Sequence, residues 1–343
     1  MIRTETTLVV GAGANCEIEM PDGAELLTRI AAGYDFDRLG TQVQTRDMVA
    51  LAEIFEGCAE RLGTTYENLL DAGRTIKQAS RVTTSIDAVL EQYGSDNPDV
   101  IAAGKIALAY YTLQAEQKST LAVEPRDAGD LPLRGSENWL FQLGQLITKG
   151  VPRAKAEQCF DNLSIVCFNY DRAIEHYMPW VLTMAFGMPM EEARMLVSTH
   201  LRIVHPYGSP GTLPWIFGAG EPCEWGEQAP EDWLAVAKGL YTASERAKDK
   251  RFSSFLMAEI AHGKRLGFLG FGFDPMNTSM LFDRVLDHDP DVMVALTGIG
   301  AGTKKAVHYL LKRNTGVQNP DLIQIEDMKA FQLLRDNGLF LET

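Results

Sequence analysis

Basic charge, paired cysteines and long apolar runs are what this chain lacks. Its 343 residues carry 32 Lys and Arg against 46 Asp and Glu, a formal net charge of -14. That balance disfavours a free-standing, non-specific binder of nucleic acid or of anionic membrane, since both need a basic surface. A local basic patch such as Lys304-Lys305 with Lys312-Arg313 remains compatible with it. The cysteines Cys16, Cys58, Cys159, Cys167 and Cys223 are odd in number and never form a C-x-x-C pair. This argues against a disulfide framework and against a cysteine-rich zinc ribbon, so no metal is expected. No apolar run is long enough to cross a bilayer, and the opening Met1-Ile2-Arg3-Thr4-Glu5 lacks the apolar stretch of a secretory signal. Internal repeats and low-complexity tracts are also missing. A reduced, cytoplasmic protein is the expectation, with no membrane and no direct nucleic-acid partner.

What is present begins at residues 7–22, TLVVGAGANCEIEMPD. The apolar Leu8-Val9-Val10 delivers the chain into Gly11-Ala12-Gly13-Ala14, as a buried parallel strand enters a phosphate-binding turn. Glycine there allows close approach of a pyrophosphate, and free N–H groups at a helix start would face it. The full fingerprint is incomplete, because Cys16 stands where the third glycine belongs and no acidic residue is clearly placed to hold a ribose. A nucleotide-binding turn and a plain tight strand–helix turn both fit.

From residue 22 to about residue 164 the periodicity is mainly helical. Thr84-Ser85 supplies a helix start, 94–98 a stop, and 124–135, with two prolines and two glycines, reads as a loop. Strand-like runs then recur at 163–168, 201–204, 266–269, 292–296 and 322–325. Most are continuous apolar runs, as in strands covered on both faces. Helical stretches at 173–186, 231–261, 278–286 and 303–312 separate most of them. The fold class expected is α/β: a Rossmann-like, mostly parallel six-stranded sheet with helices on both faces and a large inserted helical subdomain. The boundaries are 1–34 and 161–343 for the nucleotide-binding domain and 35–160 for the insertion.

Ligands of such sheets bind beyond the carboxyl ends of the strands. Four of those ends carry chemistry: Gly11 to Asn15, Asn169-Tyr170-Asp171, His205-Pro206-Tyr207-Gly208-Ser209, and Gly270-Phe271-Gly272-Phe273-Asp274.

At these residues the chain resembles the sirtuin superfamily, in particular its divergent sirtuin-like branch of bacterial anti-phage defence proteins. The GAG turn with Asn15 is followed by Pro21-Asp22 at the family's distance, and Asn169-Tyr170-Asp171 with Glu175 is similar to an N-Y-D-x-x-x-E element. Ser85-Ile86-Asp87 looks like an S-I-D element, and Gly270 to Pro275 like a strand end near the adenosine half of the cofactor. The resemblance spans residues 7–275 and implies NAD as substrate, with chemistry at the nicotinamide–ribose bond. It implies catalytic roles for Asn169 and His205. It also implies NAD contacts from Gly11, Ala12, Gly13, Asn15, Asp22, Asp171, Gly208, Gly270, Gly272 and Asp274.

Two departures shape the functional expectation. Without a zinc ribbon, deacetylation is disfavoured and NAD hydrolysis to nicotinamide and ADP-ribose is favoured. The family's catalytic His directly precedes a Gly. Here His205 stands two residues before that position and Tyr207 on it. The chain is thus expected to be a sirtuin-like NAD glycohydrolase, an effector acting as a homo-oligomer or with a second defence-system protein. A non-catalytic NAD or ADP-ribose sensor is the alternative, and a sirtuin-type deacylase or ADP-ribosyl transferase a third.

The same residues have plainer readings. Asn169 would place a water under the ribose carbon or satisfy a turn, and Asp171 would bind the nicotinamide carboxamide or cap the following helix. Asp22 and Asp274 have the same capping alternative, and His205 would take a proton from water or a ribose hydroxyl or be purely structural, with Tyr207 as the other candidate. Glu53, Glu56 and Glu60 read as a solvated acidic face. The aromatic stretch Trp215, Phe217 and Trp225 reads as a long loop, either covering the cofactor or packing as an ordinary connection.

Overall fold

The computed structural model describes residues 1–94, 96–122, 137–218 and 220–342. The loop expected at 124–135 lies outside the described residues. Six strands, β1 (Thr6–Val10), β2 (Leu163–Cys167), β3 (Arg202–Val204), β4 (Arg265–Leu269), β5 (Asp291–Leu296) and β6 (Ile323–Asp327), form one sheet. Every pairing is parallel, in the order β3-β2-β1-β4-β5-β6. The expected α/β class and six parallel strands are therefore observed, with strand bounds within two residues of the apolar runs.

Both faces are covered, which explains why the strands read as unbroken apolar runs. Leu8, Val10, Ile165, Cys167 and Leu269 pack on one side with Trp139, Leu143, Ile174 and Met178. Val9, Val166, Leu266 and Phe268 face the other side with Leu256, Ile260 and Val307.

Between β1 and β2 the described chain is helical: α1 (Ala12–Asn15), α2 (Gly23–Gly33), α3 (Arg46–Leu62), α4 (Tyr66–Ala79), α5 (Ile86–Tyr93), α6 (Pro98–Lys118) and α7 (Trp139–Thr148). Caps fix several starts: Thr45 accepts from Met48 N, Thr65 from Asn68 N, Ser85 from Asp87 N and Asn97 from Val100 N. A separate core of Leu27, Ile30, Phe55, Leu69, Ile76 and Ile106 joins α2, α3, α4 and α6. The flanking helix α7 packs instead beneath the sheet. Glu53, Glu56 and Glu60 are exposed on α3.

After β2 come α8 (Ala173–Phe186) and α9 (Met190–His200). The helical stretch expected at 231–261 is three helices: α10 (Trp233–Ala237), α11 (Ala243–Lys248) and α12 (Lys250–His262). Three acceptors cut it, Asp232, Thr242 and Asp249, each capping the helix that follows. The helix expected at 278–286 is α13 (Pro275–Leu281), started early by the Asp274 cap with Pro275 in its first turn. The helices α14 (Ala301–Thr315), α15 (Ala330–Asp336) and α16 (Gly338–Glu342) complete the chain. Among the described residues no helix is long and apolar enough to cross a membrane.

A buried ion pair joins the helical insertion to the sheet. Arg172, just beyond β2, lies 2.5 Å from Glu116 of α6, and the two side chains are 2% and 0% exposed. Arg172 also donates to the carbonyls of Cys223 and Glu224, and Glu116 accepts from the Arg172 and Gly226 amides. Such a pair tolerates burial because its remaining donors and acceptors are met. Glu116→Ala strands the Arg172 charge and should lower the unfolding free energy by about 3–5 kcal/mol in urea titrations. Asp71→Ala, which removes an exposed partner of Arg74, should cost far less.

Candidate functional site

The strand order reverses between β1 and β4, so their exits diverge and open a crevice at the carboxyl edge of the sheet. Here the turn after β1 lies directly on the turn after β4. The Gly11 amide donates to Leu269 O at 2.9 Å and the Gly13 amide to Gly270 O at 3.1 Å. A Cβ on Gly11 would stand 2.6 Å from Gly270 O. Gly270 has φ of +58°, and a Cβ there would stand 2.0 Å from Ala14 N. These glycines first serve backbone contact between two turns. The amides of Gly11, Gly13 and Ala14 are engaged within the protein, the last with Gly11 O. The free N–H groups expected at this helix start are to that extent already used.

A cavity of about 620 Å³ occupies the crevice. Its size falls in the ~300–1,000 Å³ range usual for small-molecule sites. Gly11, Ala12, Gly13, Asn15, Asp22, Asn169, Asp171, Gly270, Gly272 and Asp274 all line it. So do residues not assigned a site role from sequence, among them Glu17, Ser85, Asp87, Tyr170, Asn277 and Lys329. Tyr207 lines it as well; His205 and Gly208 do not. Gly208 has φ of +71°, and a Cβ would stand 1.9 Å from Gly239 O, so glycine is required there by packing against the 239–241 segment.

The polar groups behind the cavity wall are mostly satisfied. Asn15 is buried, and its Nδ2 donates to both Asp171 oxygens at 2.9 Å. Its Oδ1 accepts from the Trp139 indole at 3.1 Å, which fixes the amide orientation. Asp171 also accepts from Ala173 N at 3.1 Å, so it meets the first amide of α8 and lines the cavity as well. Burial raises its carboxyl from 3.8 to about 6. Asp22 and Asp274 combine the same two positions, capping α2 and α13. Glu17 accepts from the amides of Trp139 and Phe331, at the starts of α7 and α15, and burial raises its carboxyl too. No pattern in the sequence marks that double cap.

On the side of the helical insertion, Tyr170 donates to Asp87 Oδ1 and Ser85 Oγ donates to Oδ2. Burial raises the Asp87 carboxyl. The Tyr207 hydroxyl donates to Asn277, and its ring contacts the rings of Phe168 and Tyr170.

Asn169 is the exception. It is 6% exposed and lines the cavity, yet neither its Oδ1 nor its Nδ2 has a hydrogen-bond partner among the described residues. A buried amide left this way costs free energy that a bound ligand or water would recover. His205 turns away from the cavity. Its Nδ1 meets the Asn169 carbonyl at 3.1 Å and its Nε2 meets Glu175 at 2.8 Å.

The three aromatic side chains that could cover the cofactor do not reach the crevice. Trp225 stacks on His176 with centroids 4.2 Å apart, and Phe217 is exposed. None of Trp215, Phe217 and Trp225 lines the cavity. Among the described residues no group of three His, Cys, Asp or Glu side chains is arranged to hold a metal ion. Compared with family models and with curated proteins, the chain matches none.

The two glycines of the β4 exit should differ sharply on substitution. Gly270→Ala forces a Cβ into Ala14 N in a left-handed conformation and should cost on the order of 3 kcal/mol in urea unfolding. A methyl added at Gly272 would meet nothing within 4 Å, and Gly272→Ala should change stability by less than about 1 kcal/mol.

Proposed function

We propose that the protein binds NAD in the switch-point cavity and hydrolyses the nicotinamide–ribose bond, releasing nicotinamide, ADP-ribose and a proton. The observation that carries the reading is the side chain of Asn169. It is a buried amide with two unmet hydrogen-bonding atoms at the end of β2, inside a cavity whose wall holds the strand-end residues that resemble the sirtuin motifs.

The chemistry suits what lines the site. The electron pair of the breaking C–N bond leaves with the nicotinamide nitrogen, which becomes neutral, and a water oxygen bonds to the ribose carbon. Nicotinamide is a good leaving group, so the site must chiefly hold the reactants in register and exclude other water. Asn169 would orient the attacking water or a ribose hydroxyl, since its amide both donates and accepts. Asp171, held by Asn15 and Ala173 N, would accept from the carboxamide N–H. Gly272 leaves open space for a sugar beside Asp274. The resemblance further supports a role as effector in bacterial anti-phage defence, switched on by an oligomer or a partner, with sensing in a second protein. Full trigger-dependent activity of this chain alone would contradict a separate sensor.

A second reading, an NAD or ADP-ribose sensor without turnover, is favoured by one observation: among the described residues no imidazole lines the cavity, and both nitrogens of His205 are engaged elsewhere. Purified protein incubated with NAD, with products separated by chromatography, decides between them. Hydrolysis predicts nicotinamide and ADP-ribose from wild type and a loss of on the order of 100-fold or more in Asn169→Ala. Saturable binding with no product, unchanged by Asn169→Ala, would support the sensor.

The pH profile carries a separate expectation. Asp171 has a raised carboxyl near 6, so its ionised, acceptor-only form is lost as pH falls through that value. NAD cleavage should therefore rise as pH climbs through about 6 and level off above it. A rate flat between pH 5 and 7 would remove Asp171 from carboxamide recognition.

A further inference from the structure

We propose that His205 and Glu175 form a positioning pair behind Asn169, in which the imidazole bridges the Asn169 carbonyl and the Glu175 carboxylate and so fixes the backbone that aims the Asn169 amide into the cavity. The inference rests on the hydrolase reading and changes the role of His205 within it, from proton acceptor to support.

The hydrogen-bond geometry assigns one proton of the ring, and the charge on Glu175 the other. A carbonyl at 3.1 Å from Nδ1 can only accept, so Nδ1 carries a hydrogen. The Glu175 carboxyl, 2.8 Å from Nε2, accepts the second hydrogen in its ionised form, the form that His205 and Arg172 favour. The ring is then an imidazolium with both N–H groups committed. It has no lone pair with which to take a proton from water or a ribose hydroxyl. The side chains of His205 and Glu175 are 11% and 10% exposed.

The groups facing the pair agree. Glu175 comes from the first turn of α8, and the Cys167 thiol from the end of β2. Asp171 and Arg172 act on the pair from the intervening loop. Burial works against the imidazolium, and Glu175 and Cys167 together outweigh it and hold His205 above the ordinary imidazole range. Burial likewise works against the Glu175 charge, and His205 holds that carboxyl below its usual value. The pair thus ties the exit of β3 to the exit of β2 and the start of α8, with Asn169 at the junction. Its neighbours in sequence are anchored separately: Tyr170 to Asp87, Asp171 to Asn15 and Arg172 to Glu116. His205 supplies the anchor for the one residue of this run whose own side chain stays unpartnered.

The test uses the full chain labelled with ¹⁵N-histidine, together with NAD kinetics. Wild type should show both imidazolium N–H signals of His205 at pH 8. In Glu175→Gln the glutamine amide can donate to Nε2, so the ring should become neutral while both bonds persist. In His205→Ala the kcat should fall on the order of 100-fold with the NAD dissociation constant changed less than about 3-fold, and Glu175→Gln should retain more activity than Glu175→Ala. Thermal melts check that each variant is folded. A neutral His205 at pH 7, or an acid limb in the ordinary imidazole range that vanishes in His205→Gln, would overturn the proposal and restore His205 as the base. If wild type cleaves no NAD, the hydrolase reading fails. The imidazolium signals, and hydrogen exchange of the 169–172 amides in His205→Ala, then judge the pair by themselves. Unchanged exchange there would count against it.

Discussion

The buried contact between Arg172 and Glu116 is the constraint on which the carboxyl edge of the sheet depends. Two charges are withdrawn from water there, and the arrangement is tolerable only because nearly every remaining hydrogen-bonding position is filled. That requirement draws α6, the loop after β2 and the Cys223–Gly226 segment to one point. It also holds the residues beside Arg172 still. Asp171 can then meet Asn15 from the β1 turn, and Asn15 can meet Trp139 at the start of α7. A long helical insertion is thereby locked to the crevice by polar contacts as well as by its apolar core.

Among the described buried side chains that line the cavity, Asn169 alone keeps unmet polar atoms, and that acquires meaning. Glu17 meets two helix starts, Asp22 and Asp274 one each, and Asp87 receives two hydroxyls. Asn169, by contrast, reaches into the cavity with both amide atoms unmet. A rigid surround with an unfulfilled amide is pre-organised for a ligand, because the cost of orienting the group is met during folding. The left-handed Phe273 beside Gly272 places further backbone strain on the same rim.

The strands were legible in the sequence because burial on both faces writes itself as continuous apolar runs, and the strand exits were legible because Gly, Asn and Asp cluster where chains turn. Helix limits between 231 and 262 were written less loudly, in single capping residues: Thr242 with Glu245 forms a capping box that apolar periodicity passes over. The roles of individual glycines were not legible. Gly270 and Gly208 look alike as strand-end glycines, yet one meets the β1 turn and the other the Gly239 carbonyl, and only the three-dimensional approach separates them. The orientation of His205 was hidden for the same reason. Its two partners lie 36 and 30 residues earlier in the chain, and spacing from a following glycine carries no information about them. Glu17 likewise reaches Phe331 from the opposite end of the sequence.

The most direct measurement is the ¹⁵N side-chain amide signal of Asn169 in the full-length protein during titration with NAD. A saturable shift of that signal, absent in Asn169→Ala and accompanied by shifts at Asn15 and Tyr170, is the result expected if the cavity is the NAD site and the amide its contact. An Asn169 signal that stays in place at millimolar NAD, or NAD-dependent shifts confined to surfaces away from the β1 and β4 exits, would contradict it.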